Sequence, residues 1–138
     1  METEELLRKC EEFANQFRKE CEPIIRSAGF YCSEIFGEFI GNIMRMHRYY
    51  EECKKFFEEA KKETDKTKMM ELLGKARVSC RISLGSADKI LESLIDLERY
   101  LCVVTGIEGY KRKIESDKKV VSGMLNKIEE EITKVWKK

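Results

Sequence analysis

Apolar positions along the chain recur at intervals of three and four, the spacing of one helix face rather than the alternation of a strand. A first stripe, Leu6, Leu7, Cys10, Phe13, Ala14, Phe17, Cys21, Ile24, Ile25 and Ala28, predicts a helix from near Thr3 to Ala28. Pro23 lies inside it and removes a backbone donor, so a kink or restart is expected there, and Gly29 supplies the stop. A second helix is expected from about Tyr31 to Glu63. It carries Cys32, Ile35, Phe36, Phe39, Ile40, Ile43, Met44, His47, Tyr50, Cys53, Phe57 and Ala60 on one face. Met46, Tyr49 and Phe56 widen that arc beyond what one core contact requires. Phe36, Met46, Tyr49 and Phe56 are therefore the candidate surface for a protein partner. Gly37 and Gly41, four apart, would let another helix approach closely.

The polar run Glu63-Thr64-Asp65-Lys66-Thr67-Lys68 marks a turn, with Thr64 or Asp65 placed to cap the next helix. The third helix runs on toward Val104 through Met69, Leu73, Ala76, Cys80, Ser83, Ala87, Ile90, Leu91, Leu94 and Leu101. Unbroken from Lys66 to Val104 it would span about 58 Å and overhang its neighbours, so a break is expected near Gly85, with Ser86 as cap. Thr105-Gly106-Ile107-Glu108-Gly109 reads as the last turn. The fourth helix runs from about Tyr110 to Trp136, where Ile114, Val121, Ile128 and Val135 recur every seven residues, the seam of coiled-coil-like packing. The fold class is thus all-α: one antiparallel bundle of four long helices, a single domain over residues 1–138.

Composition agrees with this pattern. Charged residues make up 38% of the chain and there is one proline, a mixture that favours long helices. Acidic residues outnumber basic ones over 1–40 and the reverse holds over 41–90, although the formal net charge is only +1. Mutual neutralisation within the bundle is the simpler reading; a basic surface for a polyanion is the alternative. Arg45, Arg48, Lys75, Arg77 and Arg81 fall at comparable heights around the hairpin of the second and third helices and form the candidate nucleic-acid-binding set, since arginine suits phosphate. The start of the chain lacks a signal-peptide pattern and no apolar run approaches the ~18 residues of a membrane helix. An intracellular, cytoplasmic protein away from the membrane is expected.

Six cysteines occur without any Cys-x-x-Cys pair, which disfavours a zinc finger or thioredoxin-type site. In an antiparallel hairpin, level residues are equidistant from the turn. Cys53 with Cys80, and Cys32 with Cys102, both centre on residues 66 to 67, inside the turn assigned from polarity alone. Cys53–Cys80 is the candidate disulfide, set against burial of free thiols as small hydrophobes.

Little else points to chemistry. His47, the one histidine, lies on the apolar face of the second helix and is expected in the core or an interface. HEPN ribonucleases, which this chain resembles in being a small helical bundle, place an arginine about five to seven residues before a histidine; Ile40, Gly41 and Asn42 stand there instead. Length, helix count and a Leu73-x-x-Ala76-x-x-Ser79 stretch resemble the small bundle proteins that accompany reverse transcriptases or lie within ribosomal RNA intervening sequences, but no specific motif is shared and their strong basic charge is absent. One histidine cannot supply the paired Glu-x-x-His of a di-iron bundle, and no phosphate loop or dinucleotide fingerprint occurs. No cofactor and no enzymatic activity are expected. The sequence reads as a non-enzymatic interaction protein, a homo-oligomer or small subunit of a larger assembly, with an RNA- or DNA-binding accessory role as the alternative.

Overall fold

The computed structural model describes residues 1–8, 11, 30–99 and 107–137. All regular structure among them is helical. A short helical stretch, α1 (residues 4–8), is followed by α2 (Phe30–Lys62), α3 (Lys66–Arg99) and α4 (Ile107–Lys137). Most of the first expected helix, with Pro23 and Gly29, lies outside the described residues, as do Cys10, Cys21 and Cys102.

The turn between α2 and α3 is built by local side chains. The Glu63 carboxylate accepts the backbone N–H groups of Thr64 and Asp65, both at 3.1 Å. Asp65 Oδ1 then accepts those of Thr67 at 2.9 Å and Lys68 at 3.3 Å, satisfying two of the donors that a helix start leaves open. Asp65, not Thr64, is the cap. From this turn α3 runs back antiparallel along α2: Ser83 Oγ donates to the Met46 carbonyl at 2.7 Å, and Cys53 lies against Cys80. α4 then runs antiparallel to α3, with Lys118–Asp88 at 2.6 Å, Lys111–Glu98 at 3.1 Å and Arg81–Glu129 at 3.6 Å across the pair. These ion pairs are largely exposed and contribute little each. α3 packs extensively on both α2 and α4, whereas those two scarcely meet. Residues 1–3 bridge the gap between them.

The break expected at Gly85 does not occur. α3 is continuous over 34 residues, and it does not overhang because α2 and α4 have 33 and 31. Ser86 is buried rather than free to cap a new helix. Gly85 faces outward, where a helical glycine costs about 1 kcal/mol relative to alanine; burial of Ala87, Ile90, Leu94 and Leu97 just beyond it carries the helix through. At the last turn, Ile107 to Gly109 already belong to the first turn of α4.

The core has two apolar compartments. One is built from Ile35, Phe39, Ile43, Met46, Ala87, Ile90, Leu94, Leu97 and Ile114. The other holds Tyr50, Cys53, Phe57, Ala60, Leu73, Ala76, Cys80, Val121, Ile128 and Val135. Along each long helix the change from one to the other falls at a polar residue: His47 on α2, Ser83 on α3 and Asp117 on α4, all buried. Met1 packs against both compartments.

Candidate functional site

Among the described residues, the polar layer between the compartments brings the most polar groups together. Asp117 replaces an apolar residue in the seam of α4, three after Ile114 and four before Val121, and is fully buried. Its Oδ1 accepts the Glu2 backbone N–H at 2.8 Å; its Oδ2 accepts that of Thr3 at 3.2 Å together with the Thr3 hydroxyl. Thr3, also fully buried, starts α1: its carbonyl accepts Leu7 N–H at 2.8 Å. A carboxylate from α4 thus satisfies the open donors at the start of α1, the position where a negative charge is stabilised by the helix dipole.

The third member is His47, only 4% exposed, whose Nε2 lies 2.5 Å from Thr3 Oγ1. The directions of the bonds follow from proton count. A carboxylate only accepts, so the single hydroxyl proton of Thr3 goes to Asp117, and Thr3 Oγ1 must accept from His47 Nε2–H. This fixes the imidazole with its proton on Nε2. Burial lowers the His47 pKa below the ordinary 6.5, as does the nearby amino terminus, while Asp117, Glu4 and Glu51 pull it back up.

Hydroxyl, imidazole and carboxylate invite comparison with a nucleophilic triad, but the order is different. There the imidazole stands between hydroxyl and carboxylate and takes the hydroxyl proton. Here the hydroxyl stands between the other two, and the ring nitrogen facing it already carries hydrogen. The arrangement holds three chain segments together and cannot relay a proton away from Thr3 through His47. Beside it lies a groove of about 390 Å³ lined by Glu4, Leu7, Glu11, Met44, His47, Arg48 and Glu51.

The two cysteines expected to be level do face each other, as free thiols with no exposed surface. Cys53 is hydrogen-bonded to Cys80; that bond and burial push the Cys53 thiol up, so it holds its proton through the neutral range. Cys80 Sγ also lies 4.0 Å from the Val121 carbonyl. The pairing of Cys32 with Cys102 lies outside the described side chains.

Of the five cationic residues, Arg45 and Arg48 lie on α2 and Lys75, Arg77 and Arg81 on α3, each with its own neighbours. Arg45 lines grooves with Glu38, Glu92 and Asp96, and Arg48 lies over the Tyr49 ring at 5.8 Å, with Glu11 and Glu51 among its groove neighbours. Lys75 covers the Phe56 ring, also at 5.8 Å. Arg81 turns to Glu129 on α4, and the half-buried Arg77 leaves its Nε without a partner. Of the expected partner surface, Met46 is enclosed in the core and offers nothing to another chain. Phe36, Tyr49 and Phe56 are half-buried, Phe36 packing at a tilt against Phe39 with ring centroids 5.9 Å apart. No close helix approach occurs at Gly37 or Gly41, where an added Cβ would meet nothing within 4 Å among the described residues.

Among the described residues no group of three or more His, Cys, Asp or Glu side chains is placed to hold a metal ion, and no helix is long and apolar enough to cross a membrane. No protein-family model matches the chain, and neither the curated proteins nor the solved structures provide a match.

Thr3 and Asp117 do not stand out in the sequence. The available signal was a charged residue at a seam position of the fourth helix. Its partner was not legible, since Thr3 lies 114 residues away.

Proposed function

We propose that this protein works without catalysis, as a helical interaction module that associates with itself or serves as a small subunit of a larger assembly in the cytoplasm. The observation that supports this reading is the state of His47. The only imidazole in the chain is engaged in a buried bond whose polarity is wrong for general-base attack by Thr3. The antiparallel four-helix bundle belongs to the same reading: α2 and α4 sit across from one another with residues 1–3 between them, the place a fourth helix would fill. Nucleic-acid binding through Arg45, Arg48, Lys75, Arg77 and Arg81 is the weaker alternative, because acidic or aromatic neighbours accompany four of the five.

Light scattering over a concentration series tests the preferred form. A mass rising above the 16.3 kDa of one chain is the expected result. A mass of 16.3 kDa throughout, with salt-sensitive binding to a polyanion that falls when Arg45 and Arg48 become alanine, would favour the alternative.

A further inference from the structure

The outward face of α3, away from its core side, carries a pattern that packing among the described residues leaves unused. Val78 is 54% exposed and Ile82 is 37% exposed, one helical turn apart. They are flanked by Gly74 and Gly85, where an added Cβ would meet nothing within 4 Å. Neither glycine is required by a neighbour among the described residues, and each weakens the helix by about 1 kcal/mol relative to alanine. Beyond them lie Glu71 and Lys68 on one side, Lys89 and Glu92 on the other, all exposed and none in an ion pair with a described residue, although Lys89 and Glu92 also border the groove lined by Glu38 and Arg45 of α2.

Read toward the C-terminus from Lys68, the face runs Lys68, Glu71, Gly74, Val78; read toward the N-terminus from Glu92, it runs Glu92, Lys89, Gly85, Ile82. The two halves match in size and oppose in charge. We infer that this face is a self-complementary docking surface for a second copy of the same chain, with the two α3 helices antiparallel. Val78 then meets Ile82 of the other copy, Gly74 meets Gly85, Glu71 meets Lys89 and Lys68 meets Glu92. Two-fold symmetry makes each contact twice. The glycines let the helices approach more closely than the usual 8–10 Å, and the apolar pair is removed from water at the centre. Of the charged side chains beside this line, Arg81 and Asp88 are already paired within the chain to Glu129 and Lys118, and Lys75, between Glu71 and Val78, lies over the Phe56 ring. One helix face lies at or below the roughly 1,200 Å² that bounds standard interfaces, so the association is weak and concentration-dependent. The inference rests on the self-associating form of the proposed function and gives it a site and a register.

Sedimentation equilibrium from about 1 μM to about 1 mM is the test, with helicity of each variant checked by circular dichroism. The wild-type mass is expected to rise toward that of a dimer. Glu71→Lys or Lys89→Glu alone places like charges together twice and should weaken dimerisation about tenfold or more. The double variant E71K/K89E should restore it. Gly85→Leu should abolish it while leaving the monomer folded, because the space around Gly85 is open. Dimerisation unaffected by these changes, or single-swap losses that the double swap does not recover, would overturn this surface while leaving self-association intact. A strict monomer at every concentration would remove both.

Discussion

At the scale of single residues, the Thr3 hydroxyl is the keystone of the polar layer, because it is donor to Asp117 and acceptor from His47 at once. Thr3→Val keeps the shape and removes both bonds, leaving a buried carboxylate and a buried N–H short of a partner; stability should fall by about 1–3 kcal/mol in urea denaturation. Asp117→Ala strands two backbone N–H groups and the hydroxyl together, and should cost about 3 kcal/mol or more. The layer also gives stability a pH dependence with a definite sign. The folded pKa of His47 is depressed below 6.5, chiefly by burial, so below that pH the unfolded chain takes up a proton that the folded chain resists. Stability should be full above about pH 6.5 and decline as pH falls through the window beneath it. The slope in that window should be shallower in His47→Gln, which no longer titrates; equal slopes would contradict it.

At the scale of elements, the sequence was most readable where structure is set locally. The polar run from Glu63 to Lys68 located the α2–α3 turn because capping is a matter of neighbours two and three residues apart. Asp65→Ala should lower stability by about 1 kcal/mol on thermal or chemical unfolding. The heptad of Ile114, Val121, Ile128 and Val135 was equally legible, and all four are buried. Gly85 misled because a glycine followed by serine resembles a helix end, whereas continuity is decided by what the opposite face buries. Met46 misled in a related way: its place on a wide apolar arc suggested an outer surface, but it is enclosed in the compartment shared with Ala87, Ile90 and Leu94 of α3. Asp117 was invisible as a site because a charged residue on a helix is ordinarily a solvent-facing one, and its partners come from the far end of the chain.

At the scale of the whole molecule, a polar layer across a long apolar core acts against sliding. Were α2 to shift by a turn along α3, His47 would lose Thr3 and its imidazole would enter an apolar compartment, a penalty of a few kcal/mol that an all-apolar core would lack. That layer, flanked by Cys53 and Cys80 in the next compartment, turns the imidazole and both described thiols inward. Both of these thiols should resist a bulky thiol reagent in the native protein and react promptly in denaturant; fast modification of either in the folded state would contradict their burial. The inward chemistry and the outward, self-matching face of α3 together support a protein that acts by association. The most direct measurement of the central claim is long-range ¹H–¹⁵N correlation of the His47 ring across a pH series. Hydrogen is expected on Nε2 and none on Nδ1 at pH 7.5, with a midpoint below 6.5; a bare Nε2 facing Thr3, or a midpoint at or above 6.5, would contradict that claim and return His47 to the ranks of possible bases.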